Sequence, residues 1–259
     1  MSADLLALTD VRMGFGDGPD VVAGVSLSMS RNEFVSIVGP SGCGKSTILN
    51  AVAGLMPVRG GTVTYQGEQI RGVNTAVGYM TQGDTLLPWR TVEDNVAMPL
   101  RLRGVNKAEA RAKAAELLTM LDLDGAGRKF PAQLSGGMKR RALLARSMIY
   151  QPDLLLMDEP FAALDAQLRT QMHRELRSTV ARTRQAVLFV THDIFEAVLL
   201  SDRVIVIGGT PAAPTAEVDI PFGADRDIEG LRFDPQFVSL EKQVHDELSR
   251  ARTLSRVAS

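Results

Sequence analysis

The segment from Gly39 to Ser46 constrains this chain more than any other, because it fits the pattern of Gly, four residues, then Gly-Lys-Ser. An apolar run precedes it at residues 34–38, and a run of helical character follows it at residues 47–53. This order of strand, glycine-rich loop and helix is what a phosphate-binding loop requires. The residues predicted to surround the phosphates of a nucleotide are Gly39, Pro40, Ser41, Gly42, Cys43, Gly44, Lys45, Ser46 and Thr47.

The chemistry of the loop follows from its residue types. Glycines allow positive φ angles, so successive N–H groups can point inward at an anion, and a helix that begins near Lys45 adds the positive end of its dipole. Lys45 is expected to neutralise the β- and γ-phosphates, and Ser46 is expected to place its hydroxyl on Mg²⁺. The alternative is a glycine-rich turn that matches by chance, and the flanking segments disfavour it.

The composition is that of an ordinary soluble protein, with 45% hydrophobic and 23% charged residues in a chain of 259. The formal net charge of −1 supplies no positive field that would attract nucleic acid or acidic lipid. Cys43 is the single cysteine, which excludes an internal disulfide and a zinc cluster of thiolates. No apolar run reaches the ~18–20 residues of a membrane span, and residues 1–5 lack the features of a secretory signal. We therefore expect a cytosolic chain, whose membrane role comes through a partner.

Strand-like and helix-like segments alternate through much of the chain, which predicts a mostly parallel sheet with helices. Residues 5–30 instead favour antiparallel edge strands with one wet face. Residues 83–150 are predicted to form a helix-rich insertion. Residues 209–214 are predicted to be a loop, and residues 233–250 a surface helix after a last short strand.

Three single residues stand out in these segments. Phe15 lies in a glycine-rich bend, where it could be a core anchor or an exposed ring on which adenine stacks, and the residues alone favour neither. Asn32 lies in a tight turn, where the left-handed conformation is expected. Trp89 belongs to a loop of exposed apolar character, and core packing is the alternative for its ring.

An apolar strand that ends in Asp158 and Glu159 is the second candidate for chemistry. Uncompensated carboxylates beside a core are costly, so this strand end needs a cation. Asp158 is predicted to hold Mg²⁺ beside Ser46, and Glu159 to accept a proton from the attacking water. Two acids that merely cap a loop are the alternative.

Three further positions complete the candidate site. Ser135, Gly136 and Gly137 form a turn that opens a helix, with free N–H groups and a positive dipole end. Taken alone, this turn is better explained as an ordinary helix cap. Together with the other motifs, the interpretation as an anion site is favoured. His192 follows a buried strand at the edge where α/β sheets bind ligands, so a γ-phosphate contact is predicted. Gln82 also ends a strand and is expected to contact the Mg²⁺ or the attacking water. His173 and His245 lack such a context and are interpreted as structural.

In this order the motifs resemble those of the nucleotide-binding subunit of the ATP-binding-cassette transporter family, over nearly the whole chain. The matches are Walker A at residues 39–47, the Q-loop at Gln82, the Leu-Ser-Gly-Gly signature at residues 134–140, Walker B with its catalytic glutamate at residues 154–159, the D-loop at residues 163–165 and the switch histidine at His192. Phe15 occupies the place of the adenine-stacking aromatic residue. The departures are small: Asn32 stands where the family usually has Gly, and Ala162 stands where Ser is frequent.

The resemblance implies an α/β fold: a P-loop ATPase core with a mixed, mostly parallel sheet and helices, an antiparallel β subdomain and a helical signature subdomain. It implies a single ATP-binding-cassette domain over residues 1–259. Residues 1–82 and 151–225 would form the β subdomain and RecA-like core, residues 83–150 the helical subdomain, and residues 226–259 a C-terminal helical tail.

The resemblance also implies a function: hydrolysis of ATP with Mg²⁺, coupled to transport at the cytoplasmic face of the cell membrane. Glu159, His192 and Gln82 would be catalytic, and Ser46, Gln82 and Asp158 would hold the metal. Two copies would form a head-to-tail homodimer, in which ATP on Lys45, Ser46 and Gln82 of one subunit is covered by Ser135, Gly136 and Gly137 of the other. Transmembrane permease subunits would be direct partners and a solute-binding protein an indirect one, with no nucleic acid.

The subfamily is indicated by residues 87–92 and 94–96 and by a short tail, which resemble importers for nitrate, sulfonate, taurine and similar small solutes. The absence of a fused membrane segment also favours an importer over an exporter. One alternative is a soluble cassette ATPase that acts on ribosomes or nucleic acid, which the charge balance disfavours. Another is a regulatory module that binds ATP without cleaving it, which Glu159 and His192 disfavour.

Overall fold

The computed structural model describes residues 4–83, 85–162, 164–223 and 226–257. These residues form ten strands: β1 (Leu6–Gly14), β2 (Asp20–Met29), β3 (Phe34–Val38), β4 (Gly60–Tyr65), β5 (Glu68–Gln69), β6 (Gly78–Met80), β7 (Leu154–Asp158), β8 (Ala186–Thr191), β9 (Arg203–Gly208) and β10 (Ala213–Asp219). They also form the helices α1 (Lys45–Val52), α2 (Val92–Leu102), α3 (Lys107–Met120), α4 (Gly136–Met148), α5 (Ala166–Thr183), α6 (Ile194–Leu200) and α7 (Pro235–Val257). Short 3₁₀ turns occur at Pro131–Gln133 and Leu231–Phe233.

The larger sheet has six strands in the order β10-β9-β3-β8-β7-β6. Its strands run parallel except for β10, which pairs antiparallel with β9. Every residue of β3, β7 and β8 is buried, as expected for strands that are covered on both faces. The predicted α/β fold with a mixed, mostly parallel sheet is therefore confirmed.

The smaller sheet is antiparallel and has the order β2-β1-β4-β5. Strand β1 pairs with both β2 and β4, so the predicted antiparallel arrangement of residues 5–30 is confirmed. The chain leaves this sheet for β3 through a turn in which Asn32 has φ +63°, the left-handed conformation that the sequence predicted. This turn brings β3 directly under the smaller sheet, with Val35 and Ile37 packed in the core between the two.

The segment between β6 and β7 is helical and carries α2, α3 and α4. The buried side chain of Asn95 braces the loop before α2: its Oδ1 atom accepts from the Leu87 N–H at 2.7 Å, and its amide donates to the carbonyl oxygens of Leu87, Arg90 and Thr91. The expectation of exposed apolar residues in this loop is only partly right. Leu86 is buried in the core beneath α2, whereas the Trp89 side chain is 71% exposed.

Two predicted boundaries near the C-terminal end are wrong. Ala213 and Pro214 belong to β10 rather than to a loop, because an edge strand can accommodate a proline that has no N–H to donate. The last helix spans Pro235–Val257, and so begins two residues later and ends seven residues later than predicted. One face of that helix is apolar, with Phe237, Val244 and Leu248 buried. Within the described ranges, no helix has the combination of length and apolar composition that a bilayer span requires.

Candidate active site

The predicted phosphate-binding loop connects β3 to α1, and the helix begins at Lys45. The nine residues predicted to bind phosphate all lie in this loop or in the first turn of α1. Gly44 has φ +104°, and a β-carbon there would lie 2.6 Å from Cγ2 of Val22 on β2. No other residue type fits this position, because the conformation is left-handed and the smaller sheet lies directly against the loop.

The Lys45 side chain is held inside the loop and is 5% exposed. Its Nζ atom donates to the carbonyl oxygens of Gly39 and Pro40, both at 2.9 Å. These two bonds hold the ammonium group at the loop without using a carboxylate partner. The positive charge is therefore available to an anion that enters the loop.

Four neighbouring strands end at the same edge of the larger sheet and bring the predicted residues together. Strand β3 leads into the phosphate-binding loop, β8 ends before His192, β7 ends at Asp158, and β6 ends two residues before Gln82. Ligands of open α/β sheets bind outside the carboxyl ends of the strands. The strand order therefore explains how residues more than 100 positions apart in the sequence share one site.

The carboxylate of Glu159 is the point where the predicted catalytic residues meet. Its Oε2 atom accepts from Nε2 of Gln82 at 3.1 Å and lies 3.2 Å from Nδ1 of His192. The backbone of Glu159 has φ +44°, a sparsely populated conformation for this residue type. Its N–H donates to the carbonyl oxygen of Val190 at 2.9 Å, which fixes the turn after β7 against β8. Such local strain is characteristic of functional positions that the surrounding structure holds in place.

Asp158 has the properties of a cation ligand. The residue is 6% exposed, and its Oδ1 atom has no hydrogen-bond partner within the described part of the chain. Burial raises the pKa of this carboxyl group, while a hydrogen bond from Ser46 and the charge of Lys45 act in the opposite direction. A buried acceptor without a partner is costly. The hydroxyl and carboxylate of Ser46 and Asp158 are hard oxygen donors of the kind that Mg²⁺ prefers, so these residues fit a magnesium ion.

Phe15 lies at the tip of the β1–β2 hairpin. Strand β2 of this hairpin packs against the phosphate-binding loop at Gly44. Its side chain is 63% exposed, so the interpretation as a core anchor is wrong. Arg59 holds the hairpin tip: Nη2 donates to the Gly16 carbonyl at 2.5 Å, and Nη1 donates to the Gly18 carbonyl at 2.7 Å and to Oδ1 of Asp20 at 2.9 Å. The ring is therefore presented to solvent by a hairpin whose backbone is fixed.

The predicted signature turn caps α4. Ser135 is exposed, and its hydroxyl accepts from the Met138 N–H at 3.3 Å, while Gly136 is also exposed. Gly137 is buried because Leu168 on α5 packs against it. A β-carbon at Gly137 would lie 2.3 Å from Cδ2 of that leucine. Helix N-termini leave backbone N–H groups without partners inside the helix, so this exposed turn is a candidate anion site.

One link between the signature helix and Gln82 was not visible in the sequence. Nη2 of Arg140 on α4 donates to the backbone carbonyl of Gln82 at 2.7 Å, and Arg140 is 9% exposed. Arg59 and Asn95 were missed for the same reason. Each side chain donates to backbone carbonyl oxygens that are distant in the sequence or lie in a loop, and no spacing of residue types encodes such a contact.

The remaining predicted positions are placed as follows. In the D-loop, Ala163 lies outside the described residues, and Asp165 caps α5 by accepting from the Leu168 N–H at 2.9 Å. His245 is exposed on α7. His173 is 2% exposed and contacts Glu196, so it is a buried polar residue rather than a surface one.

Comparison with known families decides the identity of this fold and site. The family model described as ABC transporter matches residues 22–162, which include the phosphate-binding loop, Gln82, the signature turn and Glu159. This chain belongs to the ABC transporter family. Its resemblance to ATP-binding-cassette subunits is thereby confirmed, and the chain is an ATP-hydrolysing enzyme of this family.

Individual ABC transporter proteins resemble this chain over most of its length. The taurine import ATP-binding protein TauB of Rhizobium johnstonii is 41% identical over 224 residues, which are 85% of this chain and 86% of the relative. TauB of Escherichia coli K12 is 35% identical and covers 93% of this chain and 95% of its own. Among solved structures, the ATP-binding cassette MJ0796 has 29% sequence identity to this chain and a TM-score of 0.74. The match covers 83% of this chain and 98% of MJ0796, whose structure is described as dimeric, in a post-hydrolysis state bound to ADP and Pi.

Proposed function

We propose that this chain is the ATP-hydrolysing subunit of a membrane importer, and that its solute is a small molecule of the taurine, sulfonate or nitrate type. The observation that carries the proposal is the meeting of Gln82 and His192 on one carboxylate oxygen of Glu159, at the sheet edge that also holds Lys45. The names of the relatives support import of taurine. The alternative, a soluble cassette ATPase acting on ribosomes or nucleic acid, has no support from those relatives.

In the proposed reaction Glu159 accepts a proton from the water that attacks the γ-phosphate. The carboxylate is 18% exposed, so the attacking water can reach it while protein surrounds most of its surface. Gln82 and His192 fix its orientation, and the His192 side chain, which is 54% exposed, would also contact the γ-phosphate. Lys45 and the backbone N–H groups of the loop would stabilise the negative charge that the phosphates carry.

We assign Mg²⁺ to Ser46 and Asp158, with Gln82 at the edge of the same site. Ser46 and Asp158 would hold the ion, and its positive charge would neutralise negative charge that develops on the phosphates. The proposal is supported by the Oδ1 atom of Asp158, which is buried and lacks a partner within the described residues. The Gln82 amide nitrogen is engaged with Glu159, which leaves its oxygen for the metal or for water.

We propose that two copies of the chain share each ATP. Lys45, Ser46 and Gln82 of one copy would bind the triphosphate, and Ser135, Gly136 and Gly137 of the other would cover it. The exposure of Ser135 and Gly136 supports this arrangement, since the start of a helix can donate backbone N–H groups to an anion from another molecule. The dimer described for MJ0796 supports it as well. Closure of the dimer would then depend on the γ-phosphate, and hydrolysis would release it.

The proposed contact with a permease is a groove near Gln82. A cavity of about 470 Å³, which Gln82 does not line, lies against β6 and the end of α2 and is lined by Tyr79, Pro99, Leu102, Arg103 and Tyr150, among others. Leu102 is 80% exposed and Trp89 is 71% exposed, and we propose that both side chains contact the permease. We therefore place the chain at the cytoplasmic face of the membrane, held there by permease subunits, with a solute-binding protein as an indirect partner.

The decisive experiment on hydrolysis is Glu159→Gln. The variant should bind ATP and Mg²⁺ with little change, lose at least about 100-fold in kcat because the proton acceptor is gone, and form an ATP-dependent dimer in size-exclusion chromatography. Undiminished turnover would remove Glu159 from its proposed role. A nucleotide-bound variant that stays monomeric would contradict the shared site.

The transport part of the proposal is tested separately. The tagged chain should co-purify from membranes with a hydrophobic permease, and cells that lack its gene should lose uptake of labelled taurine. Lys45→Ala is the matched control, because it removes the phosphate contact and leaves the groove intact. Co-purification with ribosomes, or taurine uptake that does not depend on the gene, would contradict an import function of this kind.

A further inference from the structure

We infer that Thr191, Glu196 and His173 form a buried positioning device that sets the place of His192 relative to Glu159. These three residues are 2%, 3% and 2% exposed. Within the described part of the chain, their side chains form no hydrogen bond with Glu159 or with the phosphate-binding loop. The inference rests on the proposed role of His192 in hydrolysis.

The first part of the device holds the backbone on both sides of His192. The Thr191 hydroxyl donates to Oε2 of Glu196 at 2.7 Å and accepts from the N–H of Asp193 at 3.0 Å. His192 lies between Thr191, which carries this hydroxyl, and Asp193, whose N–H donates to it. Its backbone is therefore fixed from both directions by a single buried oxygen atom.

The second part connects that hydroxyl to the segment that carries Glu159. Oε1 of Glu196 lies 3.3 Å from Nε2 of His173 on α5. The His173 ring contacts the ring of Phe161 edge-on, with centroids 5.0 Å apart. Phe161 is two residues after Glu159, and Thr191 is one residue before His192. A continuous series of buried contacts, from Thr191 through Glu196 and His173 to Phe161, thus connects the segment that carries His192 with the segment that carries Glu159.

Arg169 adds a parallel link from the same helix. Its Nη1 atom lies 3.5 Å from Oδ2 of Asp193, and its Nη2 atom donates to the Leu164 carbonyl at 3.0 Å. Its Nε atom lies 3.8 Å from Oε1 of Glu196. The first turns of α5 therefore contact the residue after His192 and also the loop before the helix.

Simple core filling does not explain this arrangement. An apolar residue at each of the three positions would fill the space without the desolvation cost of a buried carboxylate and imidazole. What the polar groups add is directionality, because each hydrogen bond fixes one geometry. Catalytic groups need their partners held to within about 0.5 Å, and that tolerance is what such a supporting network supplies.

The first test compares Thr191→Val with Thr191→Ser. The valine variant keeps the branched shape and removes the hydroxyl, whereas the serine variant keeps the hydroxyl. We expect Thr191→Val to lower kcat by about 10- to 100-fold with KM for ATP changed less than about twofold, and Thr191→Ser to restore most of the rate. Rates are compared per folded protein, well below the melting temperature of each variant. Unchanged kcat in Thr191→Val, with only a lower melting temperature, would reduce the network to a stability role.

A double-mutant cycle with His192→Ala shows whether the effect passes through His192. In the His192→Ala background, Thr191→Val should cost no further activity, because the group that it positions is absent. An equal loss in both backgrounds would overturn the inference. His173→Leu and His173→Gln form a second pair, in which Gln keeps a donor for Glu196 and should be the milder change.

A spectroscopic measurement separates this inference from the proposed catalytic role. The chain has 3 histidines, so the ring signals of His173, His192 and His245 can be followed by NMR with ¹³C-labelled histidine. Thr191→Val should shift or broaden the His192 signals, and Thr191→Ser and the distant His245 should show no change. If His192→Ala proves fully active, the catalytic role fails while this measurement still decides the positioning. Identical His192 signals in Thr191→Val and in the unmodified chain would overturn the positioning itself.

Discussion

Cδ2 of Leu168 lies 2.3 Å from the point that a β-carbon on Gly137 would occupy. Leu168 belongs to the first turn of α5, and Gly137 to the first turn of α4. The two helices that carry the signature turn and the end of the D-loop therefore meet at their N-termini. The absence of a side chain at Gly137 is what lets them approach so closely.

Gly137→Ala should consequently lower stability. The added methyl group must displace Leu168, and we expect a net cost of about 1–3 kcal/mol in the free energy of unfolding, as for other overpacked sites. Gly136→Ala is the matched control, because nothing lies within 4 Å of a β-carbon at that position. Denaturant unfolding of both variants measures the difference, and equal stabilities would show that Leu168 moves aside at no cost.

The double variant Gly137→Ala/Leu168→Ala should recover part of the loss. Leu168→Ala removes the atoms with which the new methyl group collides, so the two changes should be less costly together than the sum of the single changes. The coupling energy from unfolding curves checks this. Additive costs would mean that the destabilisation of Gly137→Ala has another origin.

Arg59 is predicted to control nucleotide affinity through Phe15. Arg59→Ala frees the carbonyl oxygens of Gly16 and Gly18, so the hairpin tip should lose its fixed geometry and weaken the predicted stacking of adenine on Phe15. We expect KM for ATP to rise about fivefold, since stacking of a base on an aromatic ring is worth about 1–3 kcal/mol. The value of kcat should stay within about twofold, because the Arg59 contacts in the described part of the chain are with the hairpin and not with Glu159. Steady-state kinetics measures both constants, and a loss confined to kcat would contradict this assignment.

Arg12 provides the control for that prediction, because it pairs with Asp20 but makes no bond to the hairpin carbonyls among the contacts described. Arg12→Ala should leave KM nearly unchanged.

The Arg59 guanidinium, and then that of Arg12, lowers the pKa of Asp20 below its ordinary value. The stabilisation from this carboxylate is therefore complete above the ordinary Asp pKa and is lost only as the pH falls through the lowered one. KM should accordingly show no inflection from Asp20 between about pH 5 and pH 8.

Residues whose role depends on local chemistry could be predicted from the sequence. The loop at residues 39–47 needs glycines, a lysine and a hydroxyl in fixed order, and Asp158 and Glu159 end an apolar strand, so spacing alone locates them. The exposure of Phe15 could not be predicted, because a lone aromatic residue in a bend suits a core and a surface equally. Arg140 and His173 could not be predicted either. Their partners, Gln82 and Glu196, are 58 and 23 residues away, and only the fold brings them together.

The turn at Asn32 gives a prediction about backbone strain. Its φ of +63° costs an ordinary residue about 1–2 kcal/mol, whereas Asn tolerates this conformation and Gly accepts it freely. Asn32→Ala should therefore destabilise the chain by about 1 kcal/mol, while Asn32→Gly should be close to neutral. Thermal unfolding of the two variants distinguishes them, and an Ala variant as stable as the Gly variant would show that this turn relaxes.

The shared site predicts complementation between two inactive variants. Lys45→Ala removes the phosphate contact of one half-site, and Ser135→Arg places a bulky side chain on the exposed turn that should cover the other copy's nucleotide. Each variant alone should be inactive, and Ser135→Arg should still bind ATP as a monomer. In a mixed dimer, one site combines the intact loop of one copy with the intact turn of the other. Equal mixing should restore about a quarter of the unmodified rate, because half of the dimers are mixed and each holds one working site. A mixture as inactive as its components, with dimers demonstrably formed, would mean that each chain completes its own site.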